Sequence, residues 1–127
     1  MKRKNYTAEG VSASGPYSHA VDGGDFIFFS GQTAMNSLGE EGKALKGKVA
    51  EQTKEVFSNL QSAMDAAGVE GHQVVKVNVY LTTMDDFDAM NEVYQEFFEA
   101  PYPARTCVAV HELPLGAEVE IEMIAKK

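Results

Sequence analysis

Arg105 and Glu120 are the residues of this chain whose types and surroundings best suit chemistry on a small anion. Arg105 stands in Pro103-Ala104-Arg105-Thr106-Cys107-Val108 and Glu120 in Val119-Glu120-Ile121-Glu122-Met123, two segments with the alternation of half-buried strands. A guanidinium and a carboxylate offered from strands can clamp an anionic substrate and handle a proton or a water. A plainer reading stands beside this one. Arg105 can be a structural ion-pair partner, and Glu120 with Glu122 an exposed acidic edge, the commoner fate of paired strand carboxylates. The residue types alone favour the plainer reading.

Other chemistries find less support. The three histidines, His19, His72 and His111, fall in three segments with no ligand spacing, and neither H-E-x-x-H nor C-x-x-C occurs, so no metal site is expected. Cys107 shares a strand face with Arg105, which is placed to lower its thiol pKa. No histidine is placed to act as its base, and a lone cysteine in an apolar strand reads as a small core residue. Gly23-Gly24 and Ser30-Gly31-Gln32 lack the Lys-Ser/Thr and the βαβ context of a phosphate cradle.

A length of 127 residues fits one compact domain, expected here over residues 1–127. Nineteen acidic against 11 basic side chains give a net charge of −8, which repels phosphate backbones and makes a nucleic-acid partner unlikely on electrostatic grounds. The single cysteine forms no intrachain disulfide and suits a reducing compartment. No apolar run has the length of a signal peptide or a membrane span, so no membrane association is expected and a cytoplasmic location is the default.

The elements that must position Arg105 and Glu120 follow from periodicity. Residues 17–21 and 26–30 are predicted strands joined by the tight turn Asp22-Gly23-Gly24-Asp25, and residues 36–47, with three glycines, are a predicted loop. From Lys48 to Ala67 the positions Val49, Thr53, Val56, Leu60 and Ala63 or Met64 step by three or four, predicting an amphipathic helix that Gly68 ends. Val75, Val77, Val79 and Leu81 alternate with polar residues in a further strand. A second helix is predicted over 85–98, capped by Thr83 or Asp85, with Phe87, Met90, Val93 or Tyr94, and Phe97 on its inner stripe. Pro101 and Pro103 stop it, and strands over 105–110 and 118–125 follow, with Leu113–Gly116 as the turn between them. The order ββαβαββ implies an α+β fold, two helices covering one face of a mixed sheet. The uncovered face is an expected association surface, and hence a homo-oligomer is expected.

Several motifs together carry a resemblance. Gly15-Pro16-Tyr17-Ser18-His19-Ala20-Val21, Ser30-Gly31-Gln32, Asn91-Glu92-Val93-Tyr94 with Phe97-Phe98, Pro103–Val108, Leu113-Pro114 and Val119–Glu122 resemble, in this order and over about residues 14–125, the Rid/YjgF family, also called the endoribonuclease L-PSP family. The resemblance implies a chorismate-mutase-like fold that forms a homotrimer around a barrel-like centre, with active sites in clefts between subunits. It implies hydrolysis of enamines and imines such as 2-aminoacrylate and 2-aminocrotonate to 2-oxo acids and ammonia, without a cofactor, as in 2-iminobutanoate/2-iminopropanoate deaminases. Carried over, Arg105 binds the substrate carboxylate and Glu120 orients or deprotonates the attacking water. Tyr17, Ser30 and Asn91 line the cleft, and the backbone near Gly31 and Cys107 supplies hydrogen bonds. A non-catalytic metabolite-binding or regulatory trimer, and an endoribonuclease or translation inhibitor, are the alternatives. His19 replaces a glutamine found in many members, the loop after Gln32 looks longer, and the link from Phe98 to Pro103 looks shorter, all of which bear on the cleft mouth.

Overall fold

The computed structural model describes residues 2–13, 15–34 and 45–127. The chain forms β1 (Asn5–Tyr6), β2 (Ala20–Asp22), β3 (Phe26–Gln32), α1 (Val49–Ala67), β4 (Val74–Leu81), α2 (Phe87–Phe97), β5 (Ala104–Ala109) and β6 (Val119–Lys126). The strands build one mixed sheet in the order β1-β2-β3-β6-β4-β5. Every neighbouring pair is antiparallel except β4 with β5. That parallel pair is what a helical crossover produces, since α2 carries the chain back to the end where β4 began.

Local sequence explains most boundaries. The buried stripe of α1 includes Val49, Thr53, Val56, Leu60, Ala63 and Met64, and Gly68 closes the helix at φ 70° with its N–H on the carbonyls of Met64 and Asp65. A short 3-10 turn over Met84–Asp86 precedes α2, and the Thr83 hydroxyl accepts from the Asp85 N–H at 3.2 Å. The β2–β3 hairpin turns through Gly24 at φ 95°, where the Asp22 carboxylate accepts from the Gly24 N–H at 2.8 Å.

The structure differs from the sequence expectation at two strands. A strand at Asn5–Tyr6 adds a sixth member, paired with β2 through Asn5↔Val21 and Tyr6↔Ala20. The strand expected over 17–21 begins only at Ala20, because the Tyr17 N–H bonds to the Gly15 carbonyl at 3.0 Å and the chain turns there. Most of the loop expected over 36–47 lies outside the described residues. The turn at Leu113–Gly116 is a 3-10 turn over Pro114–Gly116, but the strands that it links are not neighbours, because β4 lies between β5 and β6.

Both helices pack on one face of the sheet, over Ile27, Phe29, Val77, Val79, Leu81, Val119, Ile121 and Met123. The opposite face carries Phe28, Ile124, Lys76, Asn78, Glu122, Tyr80, Glu120 and Val108, brought into rows by the strand register. Phe28 is 47% and Val108 41% exposed on it, which is unusual for apolar strand residues. Among the described residues no helix is long and apolar enough to cross a membrane.

Candidate active site

Arg105 is aligned with Val77, which is fully buried beneath the helices, so its side chain starts toward α2. Phe87, Asn91 and Tyr94 meet it there. Their spacing of four and three residues sets them in one stripe of the helix. The Asn91 Oδ1 accepts from Arg105 Nη1 at 2.6 Å. The ring centres of Tyr94 and Phe87 lie 4.7 and 5.5 Å from Arg105 Cζ, within cation–π range. No carboxylate pairs with Arg105 among the described residues. The group instead opens into a cleft of about 390 Å³ that Asn91, Tyr94, Gln95, Tyr102 and Pro103 complete.

Glu120 belongs to the other face. It is aligned with Tyr80, while its neighbour Ile121 is aligned with Val79 in the core. Between Phe29 and Gln32 the pairing of β3 with β6 slips by one residue, so Ser30 and Gly31 together oppose Glu122. Such a bulge re-aims the side chains around it. Gly31 is needed for space, since a Cβ there would stand 3.0 Å from Glu120 Cδ and 3.2 Å from its Cγ and Oε2. Tyr17, Ser30, Gly31, Thr33, Pro114, Glu120 and Glu122 line a second hollow, of about 190 Å³.

The two carboxylates of this hollow are held differently. Glu122 Oε1 accepts from the Tyr80 hydroxyl in a short hydrogen bond and from Asn78 Nδ2 at 3.2 Å. That bond is the main reason the Tyr80 hydroxyl is pushed up to about 12. Glu120 accepts no hydrogen bond among the described residues, and burial, then the charge of Glu122, hold its carboxyl above the usual carboxylate range. A carboxyl so placed can take a proton from water and return it. The Ser30 hydroxyl already donates to the Ser18 carbonyl at 2.6 Å, so it meets a ligand as an acceptor.

The residues singled out in the sequence therefore fall into two groups. Arg105 and Asn91 share the helix-side cleft, whereas Tyr17, Ser30, Gly31 and Glu120 share the hollow on the open face. Cys107 is aligned with Val79 on the side of Arg105, but burial outweighs the guanidinium and pushes its thiol up, away from thiolate chemistry. Three participants were not singled out as site residues: Tyr94 and Phe87 beside Arg105, and Tyr80 beneath Glu122. The stripe over 87, 91 and 94 is the signal in the sequence for the first two. Among the described residues no three His, Cys, Asp or Glu side chains gather to hold a metal ion.

Fold and geometry define an α+β protein with two clefts on opposite faces of one sheet. The sequence profile of a family described as endoribonuclease L-PSP matches residues 7–127. A RutC family protein of Pyrococcus horikoshii is 41% identical over 127 residues, covering 100% of this chain and 99% of the relative. A human protein named 2-iminobutanoate/2-iminopropanoate deaminase is 38% identical over 125 residues, covering 98% of this chain and 90% of the relative. The crystal structure of Escherichia coli TdcF with bound serine superposes with a TM-score of 0.83 at 34% identity, covering 98% of each chain. The chain belongs to the Rid/YjgF family, the endoribonuclease L-PSP family of that profile.

Proposed function

We propose that the protein hydrolyses the C=N bond of reactive 2-imino acids, formed from enamines such as 2-aminoacrylate and 2-aminocrotonate, to give 2-oxo acids and ammonia. One observation carries this reading: Arg105 presents a guanidinium to an open cleft, with one edge fixed by Asn91 and no carboxylate beside it among the described residues. Such a group is a receptor for a planar carboxylate, which a guanidinium grips by two parallel hydrogen bonds. A human relative bears the deaminase name, and TdcF was crystallised with serine, a small molecule with the same carboxylate.

One protomer does not bring both faces of its sheet to one ligand, so the site forms between subunits of a homotrimer. The exposed Phe28 and Val108 of the open face support that association. Arg105 and Asn91 come from one subunit, and Tyr17, Ser30, Gly31 and Glu120 from its neighbour.

At such a site Arg105 fixes the substrate carboxylate and so places the imine carbon. Glu120 takes a proton from water as the water oxygen bonds to that carbon and the C=N electrons move to nitrogen, and it hands that proton to the nitrogen to complete a carbinolamine. Glu120 then takes the carbinolamine hydroxyl proton as the C=O bond forms and the C–N bond breaks, and passes it to the leaving ammonia. Backbone groups near Gly31 and Cys107 hold the substrate, with Tyr17 and Ser30 beside it. The imine carbon is already electrophilic, so these steps call for no cofactor.

The test is a coupled assay in which threonine dehydratase generates the imine in situ. The wild type is expected to speed imine loss and Arg105→Ala to abolish the effect, whereas no acceleration over buffer refutes the proposal. A thermal shift with 2-oxobutanoate in the absence of any turnover points to a binding protein instead. RNA cleavage by repurified protein, unchanged in Arg105→Ala, would indicate a nuclease, although the net charge of −8 opposes an RNA surface.

A further inference from the structure

Tyr94 occupies the Arg105 cleft, yet no step of the proposed reaction uses its hydroxyl. The residue is 5% exposed, and its hydroxyl has no hydrogen-bond partner among the described residues. Burial pushes that hydroxyl up to about 12, so it stays neutral. The ring has two well-defined neighbourhoods. On one side it packs against Phe57 and Phe98, with ring centres 5.9 and 5.0 Å away, and on another it lies 4.7 Å from Arg105 Cζ. Phe87, two helical turns earlier, stands 5.5 Å from the same carbon.

An arginine side chain has several rotatable bonds, and holding it for a ligand forfeits rotamer freedom at the moment of binding. Here Asn91 takes one N–H, the rings of Tyr94 and Phe87 lie within cation–π range of the guanidinium, and Arg105 lines the cleft. We infer that Tyr94 and Phe87 are positioning residues that hold the Arg105 guanidinium ready for a planar carboxylate. The inference rests on the proposal that Arg105 anchors the substrate carboxylate. It assigns the work to the ring of Tyr94 and not to its hydroxyl. It also explains how a helix stripe aimed at an edge strand serves the site, since Tyr94 transmits the rigidity of the aromatic core to Arg105.

The experiment compares wild type, Tyr94→Phe, Tyr94→Leu, Phe87→Leu and Arg105→Ala in the coupled dehydratase assay, with Tm measured on each. Relaxation of the Arg105 Nε–H by 15N NMR reports guanidinium order directly. Tyr94→Phe is expected to stay within about twofold of wild type, whereas Tyr94→Leu and Phe87→Leu raise KM about five- to tenfold with little change in kcat. Both leucine variants are also expected to loosen the Arg105 Nε–H. Phe87 is only partly buried at the edge of the core, whereas Tyr94 packs within it, so the Phe87 variant remains informative where Tyr94→Leu fails to fold. A purely structural role for these rings predicts a lower Tm with KM and Nε–H order unchanged, and that result overturns the inference. If Arg105→Ala abolishes turnover while Phe87→Leu leaves KM and Nε–H order unchanged, the inference falls and the function stands. If the wild type gives no turnover, both fall.

Discussion

Arg105 and Glu120 lie on opposite faces of one sheet, separated by the strand that runs between theirs: Arg105 is aligned with Val77 on the helix-covered side and Glu120 with Tyr80 on the open side. Successive strand residues alternate between faces, so no side-chain rotation within a protomer brings the two to a common ligand. A direct ion pair between them is absent among the described residues, where Arg105 has no carboxylate partner at all.

The proposed trimer predicts complementation between subunits. Arg105→Ala and Glu120→Gln are each expected to be inactive alone. Mixed after reversible dissociation, they should regain about one quarter of wild-type activity, because one subunit pairing in four joins an intact Arg105 to an intact Glu120. Mixtures that stay silent although mass spectrometry shows hybrid trimers would place the whole site within one chain.

Gly31→Ala should act on Glu120 without disturbing the fold. A methyl group 3.0 Å from Glu120 Cδ forces the carboxylate aside. We expect kcat to fall about tenfold or more, in keeping with the sensitivity of proton transfer to small displacements. Steady-state kinetics and a thermal melt check this, and an unchanged kcat in a folded variant counts against Glu120 as the water-handling group.

The pH response of Glu120 has a definite sign. Burial and Glu122 raise its carboxyl pKa, so the folded chain binds that proton more tightly than the unfolded one. The stabilisation is fully present below the ordinary carboxylate range and is lost as pH rises through the raised pKa. Glu120→Gln, which carries no charge, should therefore gain on wild type as pH rises, by roughly 1–3 °C in Tm at neutral pH. Wild-type activity should show an acid limb where Glu120 takes up its proton. Equal Tm differences at acid and neutral pH would contradict this.

Tyr80→Phe removes the short hydrogen bond to Glu122. The loss of a charge-assisted bond at a half-buried carboxylate is expected to destabilise by about 1–2 kcal/mol. It should also remove one of the late-titrating tyrosines, since Tyr80 and Tyr94 are both raised to about 12. Ultraviolet difference titration of wild type and variant reads this out.

Local pattern carried much of the fold. The three-and-four spacing from Val49 to Met64 and the glycine at position 68 specify α1 unaided, and the alternation of Val77, Val79 and Leu81 specifies β4 and its buried face. What local pattern cannot give is which strands become neighbours. Arg105 and Glu120 stand on strands that follow one another across a short turn, and only the pairing of β4 with both partners separates them. β1 escaped notice because Asn5 and Tyr6 are too few to show a period, and their strand exists through the backbone of Val21 and Ala20. The residues proposed for the site come from motif resemblance, and the bulge had its marker in a glycine inside an aromatic strand. The stripe of Phe87 and Tyr94 was visible as a helix face, but nothing local said that part of it faces a guanidinium.

The placement of β4 between β5 and β6 has a consequence for the protein in dilute solution. With its reacting groups divided between partners, the proposed enzyme obeys mass action on itself: its specific activity rises with its own concentration until assembly saturates. Below the dissociation constant of the trimer, each chain would retain its fold and both clefts yet turn over nothing.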